Sequence, residues 1–240
     1  MASGAALTIE IREKRFDVLP EPLFADFELE IAPSSVVALL GPSGIGKSTL
    51  LRMVAGVDTD FTGRITLDGV EAAAAAPPGF VFQDPRLLPW LDAVGNIRAA
   101  GPSVTETHAR ELLADMGLSG FEGALPHELS GGMQRRVGVA RALAAEPGLL
   151  LLDEPFVSLD EALVQELQTL VLNVIDRRRP TVLLVSHAAT DAARLGDRVV
   201  ILSRDGIAAD ITPDVPRSER SAEDRARIAQ DLAQRMEALR

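Results

Sequence analysis

Apolar and polar positions alternate twice near the start of the chain. Leu7, Ile9 and Ile11 are interleaved with Thr8, Glu10 and Arg12, and Phe27, Leu29 and Ile31 with Glu28 and Glu30. A period of two is the mark of a strand with one face buried. Val36-Val37-Ala38-Leu39-Leu40 is apolar throughout, as a strand covered on both faces would be. Lys47 to Ala55 then predicts a helix stopped by Gly56. Gly63 to Leu67 predicts a strand that enters a tight hairpin turn at Asp68-Gly69. The low-complexity run Ala72 to Ala76 ends at Pro77-Pro78 and predicts a surface connection.

Gly79 to Phe82 is another short apolar strand. From Asp92 to Gly138 the pattern turns helical with no clear strand signal. Ser103 and Glu106 make a capping-box pair that would open a helix through Met116, ended by Gly117. A second helix opens after Ser130-Gly131-Gly132 and runs to about Ala144. Leu149 to Leu152 is a buried strand. The long helix after Ser158-Leu159-Asp160 carries Leu163, Leu167, Leu170, Val171 and Val174 on one face. Arg177-Arg178-Arg179-Pro180 reads as its solvated end, where cations offset the helix dipole. A strand at Thr181 to Val185, a short helix at Ala188 to Leu195 and a hairpin around Asp205-Gly206 follow. Pro213 and Pro216 mark a linker. A charged terminal helix over Ser221 to Leu239 spaces Ile228, Leu232, Met236 and Leu239 at helical intervals. Strands alternating with helices predict an α/β fold.

The 240 residues, 47% of them hydrophobic, suffice for one large α/β domain or a core with an inserted subdomain. The net charge of -11 argues against nucleic-acid binding, which wants a basic face. With no cysteine, disulfides and thiolate metal sites are excluded. No secretory signal pattern opens the sequence, and no apolar run reaches the ~20 residues that span a bilayer. Any membrane role is therefore expected to act through a partner.

Against this background, residues 41–49 supply the chemistry. Gly41-Pro42-Ser43-Gly44-Ile45-Gly46-Lys47-Ser48-Thr49 is a phosphate-binding loop placed between a buried strand and a helix. Its glycines let the backbone wrap an anion, Lys47 suits the β- and γ-phosphates, and the Ser48 hydroxyl suits Mg²⁺. Gln83 at a strand end can meet Mg²⁺ or hold a water. Asp153-Glu154 closes four leucines at the strand edge where open α/β sheets bind ligands. Asp153 suits a water-mediated Mg²⁺ contact and Glu154 an activated water. His187, also at a strand end, favours a phosphate contact. Ser130-Gly131-Gly132 is either a second helix N-terminus open to an anion or, taken alone, a plain capped helix. Phe16 is either a ring that stacks on a purine or a core or rim residue. Trp90, the single tryptophan, is either an exposed anchor or packed beneath its Pro-rich loop.

Taken together and in order, residues 41–49, Gln83, Leu129-Ser130-Gly131-Gly132, Leu149 to Glu154, Ser158-Leu159-Asp160 and His187 resemble the ATP-binding-cassette ATPases over residues 7 to 211. Phe82-Gln83-Asp84-Pro85-Arg86-Leu87-Leu88-Pro89-Trp90 is similar to the ATPase subunits of nitrate, sulfonate and taurine importers. The resemblance implies a RecA-like P-loop NTPase core at 1–83 and 139–211, with an N-terminal antiparallel β subdomain. It implies a helical insertion at about 84–138, and a linker and helix at 212–240. Two copies would sandwich ATP between residues 41–49 of one and Ser130-Gly131-Gly132 of the other. Phe16 would stack on adenine, Gln83 would sense Mg²⁺ and the attacking water, Glu154 would polarise that water, His187 would touch the γ-phosphate, and Asp160 would couple the two sites. The implied setting is the cytoplasmic face of the inner membrane, as a peripheral homodimer on integral permease subunits, with a periplasmic or extracellular solute-binding protein acting indirectly. Met133 after the signature glycines, Ala188 after His187 and Phe16 in place of a frequent Tyr depart from the family pattern. Two other readings compete: a non-import cassette ATPase of the lipoprotein-release or cell-division type, and a phosphotransferase, which leaves the Leu-Ser-Gly-Gly turn unexplained.

Overall fold

The structure, a computed structural model, describes residues 4–157 and 159–239; Ser158 lies outside the described residues. In chain order the elements are β1 (Leu7–Lys14), β2 (Phe24–Ile31), β3 (Val36–Leu40), α1 (Lys47–Val54), β4 (Thr62–Leu67), β5 (Val70–Glu71), β6 (Gly79–Val81), α2 (Ala93–Arg98), α3 (Glu106–Asp115), α4 (Gly131–Leu143), β7 (Leu149–Asp153), α5 (Glu161–Arg178), β8 (Thr181–Val185), α6 (Ala189–Leu195), β9 (Arg198–Ser203), β10 (Gly206–Ile211) and α7 (Ala222–Glu237). This is the mixed α/β arrangement that the pattern predicts. The chain gathers into two compact units, one of residues 4–77 and 181–239, the other of residues 78–180.

In the first unit, β2-β1-β4-β5 form an antiparallel sheet. Leu7 faces Ile31 and Ile11 faces Phe27, so the alternating apolar positions bury on one side. Asp68 (φ 49°) and Gly69 (φ 80°) both adopt left-handed backbone, as a two-residue hairpin turn between twisted strands demands. A second set of strands runs β10-β9-β3-β8. β3 is buried at every residue and lies parallel to both β8 and β9. The stretch expected to be a linker is tied down: buried Arg220 donates to the carbonyls of Val215 (2.9 Å), Ala193 (2.8 Å) and Gly196 (2.8 Å). The last two lie at the C-terminal end of α6, where helix carbonyls lack intrahelical partners. α7 then packs Ile228 and Leu232 onto α6.

In the second unit, β6 and β7 pair in parallel, Val81 opposite Leu152, and α2 to α5 complete the unit. Two expectations are corrected here. The N-cap of α3 is Thr105, whose Oγ1 accepts from the His108 N–H at 3.2 Å, rather than Ser103. Ser103 is displaced because buried Val104 closes a turn onto Gly101, and Glu106 bonds forward to Arg110 instead of back to a cap. The α5 face is also rotated: Leu167, Gln168, Val171, Val174 and Ile175 are buried, while Leu163 and Leu170 are half-buried. The arginines ending α5 lie at the surface as expected, and two of them also pair, Arg177 with Asp115 at 2.7 Å and Arg178 with Glu146 at 3.1 Å.

Candidate nucleotide site

In the first unit, β3 delivers residues 41–49 at its C-terminal end. Gly46 stands at the N-cap of α1 with φ 99° and no side-chain cap, so the first N–H groups of the helix are left to the loop. A Cβ at Gly46 would lie 2.9 Å from the Phe24 ring, so only glycine fits. At Gly44, φ is 81° and nothing lies within 4 Å of the Cβ position, which leaves that side of the loop open. Pro42, Ser43 and Gly44 are exposed, and Ile45, Ser48 and Thr49 are half-buried. Lys47 is buried, and its Nζ donates to the Gly41 and Pro42 carbonyls, each at 2.8 Å. Uncapped helix N–H groups, a glycine cradle and an ammonium held at the loop make a donor set that fits polyphosphate.

β8 lies beside β3 in register, Leu39 opposite Val185, and the Ser186 N–H donates to the Leu39 carbonyl at 3.2 Å. Exposed His187 therefore leaves the same strand edge as the loop at 41–49. Its turn is braced from below: Ser186 Oγ donates to Asp191 Oδ2 at 2.6 Å and accepts from the Ala188 N–H at 3.0 Å. Phe16 sits just beyond β1, 37% exposed, with the Lys14 ammonium 4.7 Å from its ring centroid. A surface ring with a cation against it is not a core residue, which leaves the stacking and rim readings.

The second unit holds the remaining candidates. Because Val81 pairs with Leu152, exposed Gln83 and half-buried Glu154 leave one edge of the β6-β7 pair, each two residues on. Asp153 is buried at the end of β7. Glu154 has φ 46°, a left-handed backbone that is costly for a residue with a long side chain. Such strain concentrates at functional sites, and neither spacing nor composition reveals it. Ser130 caps α4 by accepting from the Met133 N–H at 3.3 Å, and Gly131 follows it exposed, with open space about its Cβ position. Asp160 caps α5 by accepting from the Leu163 N–H at 2.9 Å. Among the described residues no three His, Asp or Glu side chains converge as a metal cage. Mg²⁺ in a nucleotide site is held by one or two protein groups together with phosphates, so the hydroxyl of a residue such as Ser48 needs no cage about it.

Three residues that pattern reading passed over support this unit. Arg135 and Arg141, both on α4, donate to the carbonyls of Gln83, Pro85 and Arg86. Asn96, fully buried, accepts from the Leu88 N–H at 2.7 Å and donates to the Leu91 carbonyl at 2.9 Å, shaping the loop that carries Trp90. Trp90 itself is 73% exposed, so it does not pack beneath that loop. Buried arginine and asparagine at helical positions look like ordinary surface residues in a sequence; only their carbonyl partners distinguish them.

Comparison with known proteins agrees with this geometry. Residues 24–157 match the family described as ABC transporter. The aliphatic sulfonates import ATP-binding protein SsuB 2 of Burkholderia lata is 45% identical over 205 residues, covering 84% of this chain and 75% of that one. SsuB of Bacillus subtilis is 41% identical over 204 residues, covering 82% and 80%. Among solved structures, the dimeric post-hydrolysis ATP-binding cassette MJ0796 bound to ADP and Pi superposes with a TM-score of 0.76 at 27% identity, covering 86% of this chain and 98% of that one. The chain is thus an ATP-binding member of the ABC transporter family, in the group that resembles the sulfonate, nitrate and taurine importer ATPases.

Proposed function

We propose that this chain is the ATP-hydrolysing subunit of an importer for an aliphatic sulfonate or a close anionic analogue, working on separate membrane-spanning subunits. The observation that carries the reading is the occurrence in one chain of both an uncapped, glycine-built phosphate loop at α1 and a Ser130-capped Gly-Gly turn at α4. The names of the relatives favour import over lipoprotein release or cell division. Among the described residues no helix is long and apolar enough to cross a membrane, and relatives named as import ATP-binding proteins support a permeation path carried by partner subunits. The working form is a homodimer on the cytoplasmic face of the inner membrane, with a solute-binding protein delivering cargo on the far side.

Each side chain then has a task. Backbone N–H groups at 41–49 bind the phosphates, and Lys47 offsets the charge between β and γ. Mg²⁺, when bound, neutralises charge that builds on the phosphates; Ser48, Gln83 and Asp153 (the last through water) are the residues that would hold it. Glu154 accepts a proton from the attacking water, Gln83 orients it and His187 contacts the γ-phosphate. Phosphoryl transfer asks for positioning and charge neutralisation more than covalent help, and this set supplies both. Phe16 stacks on adenine. Ser130, Gly131 and Gly132 close on the nucleotide of a second copy, and Asp160 couples the two sites. Triphosphate bridging two copies would make nucleotide state a two-state switch.

The test is reconstitution with the permease from the neighbouring reading frames in liposomes, measuring ATP hydrolysis and uptake of labelled ethanesulfonate, taurine and nitrate. Mg²⁺-dependent hydrolysis stimulated by cargo-loaded binding protein, with sulfonate uptake, is the expected result. Hydrolysis without uptake of any of the three would reject the cargo class, and absence of Mg²⁺-dependent hydrolysis would reject the site.

A further inference from the structure

We infer that Arg135 is a positioning residue for ATP hydrolysis, fastening the backbone of Gln83 to the turn that Glu154 opens. The inference rests on the roles proposed above for Gln83 and Glu154. Arg135 is only 8% exposed. Its Nη2 donates to the Gln83 carbonyl at 2.6 Å, and its Nη1 donates to the Val157 carbonyl. Val157 is the far end of the Glu154 turn, its N–H donating to the Glu154 carbonyl at 3.3 Å. One planar guanidinium thus bridges the strand-end residue expected to orient water and the turn that holds the expected base in its left-handed conformation.

The buried charge is not explained by ion pairing. Among the described residues Arg135 forms no salt bridge with a carboxylate, and its Nε is buried without a hydrogen-bond partner. Burial lowers its pKa, with Asp84 opposing, but a guanidinium remains charged. A side chain kept charged and buried only to hold two carbonyls acts as a fixed spacer, because its fork sets both directions at once.

The grip extends along α4. One turn on, Gly138 brings the helix against Pro85: a Cβ there would lie 3.6 Å from the Pro85 ring. Near the helix end, Arg141 donates to the Pro85 and Arg86 carbonyls at 2.7 and 2.9 Å. The helix that begins at Ser130-Gly131-Gly132 and the Gln83–Arg86 backbone therefore shift as one piece, and Arg135 passes that shift to the Glu154 turn.

Arg135→Lys keeps the charge and removes the fork, so it tests positioning. The readouts are kcat, KM for ATP and the thermal melt of the full chain. We expect kcat to fall on the order of tenfold, as for one lost directional charge-assisted bond, with KM within about twofold and the melting temperature within a few degrees. Arg135→Met should lower kcat further, and combining Arg135→Lys with Gln83→Ala should lose less than the product of the two single losses, since both act through one element. Unchanged kcat in both Arg135 variants, or a loss confined to thermal stability, overturns the inference. Glu154→Gln, run alongside, separates the underlying reading: full-rate hydrolysis there would show that the Glu154 role itself is wrong, whatever the Arg135 variants do.

Discussion

Lys14 places its ammonium 4.7 Å from the centre of the Phe16 ring, and that ammonium is itself locked to Asp58 Oδ1 at 2.9 Å and the Asp60 carbonyl at 2.7 Å. The anchored cation holds one side of a surface aromatic through its ring quadrupole. Phe16→Ala should weaken ATP and ADP binding alike, by about 1 kcal/mol, because stacking on the base is the same in ground and transition states. Titration calorimetry with both nucleotides and a melt of the free protein decide it. Unaltered affinities with a lowered melting temperature would return Phe16 to a structural role.

Lys47 is the charge at the mouth of the loop, and its Nζ holds two loop carbonyls at 2.8 Å. Lys47→Ala removes both the loop contacts and the ammonium proposed to offset the phosphate charge. Each charge-assisted bond lost to nucleotide should cost about 1.5–3 kcal/mol. Hydrolysis should vanish and ATP affinity should fall by roughly tenfold or more, read by nucleotide titration and a phosphate-release assay. Wild-type values in both would remove Lys47 from the site.

Glu154→Gln preserves size and hydrogen bonding but cannot take a proton. Hydrolysis should be lost while nucleotide binding persists, so that ATP accumulates as a bridge and the protein elutes as a dimer with ATP and Mg²⁺. Size-exclusion in ATP and in ADP, beside a turnover assay, separates the outcomes. Turnover at the wild-type rate would exclude Glu154 as the base.

What the sequence made legible follows from range. β1, β3 and β7 were readable because hydrophobic period reports burial directly, and residues 41–49 because a phosphate loop needs glycine, lysine and hydroxyl at fixed spacing. The start of α3 differs by two residues because Ser103, with Glu106 three residues on, has the stronger local cap signal, whereas the folded chain buries Val104 and caps the helix at Thr105. The ion pairs of Arg177 and Arg178 were hidden because their acids, Asp115 and Glu146, lie far off in sequence. The left-handed Glu154 and the carbonyl-gripping Arg135 were invisible for a different reason. Both are defined by backbone geometry, and an arginine or glutamate carries no mark of the backbone it meets.

Trp90 gives the last prediction. It is 73% exposed in a Pro-rich loop with Leu87, Leu88 and Leu91 half-buried about it, and Asn96 holds that loop from beneath through four hydrogen bonds to Leu88, Leu91 and Asp92 backbone atoms. A rigid loop that presents a bare indole is the anatomy of a protein contact, since a large aromatic gains most when a partner covers it. The loop begins at Gln83, whose carbonyl Arg135 holds, so whatever covers Trp90 is mechanically joined to the proposed catalytic edge. The membrane-spanning partner is the occupant this reading requires. Trp90→Ala should leave the purified subunit folded, with basal hydrolysis near normal, and should weaken its recovery with the permease in detergent by about 2 kcal/mol, the scale of an aromatic hot spot. Asn96→Ala should produce the same loss less directly, by loosening the loop, and should lower the melting temperature as well. Co-purification of both variants beside thermal melts distinguishes them: full recovery of complex by Trp90→Ala, with or without a fall in stability, would place the contact elsewhere on the subunit.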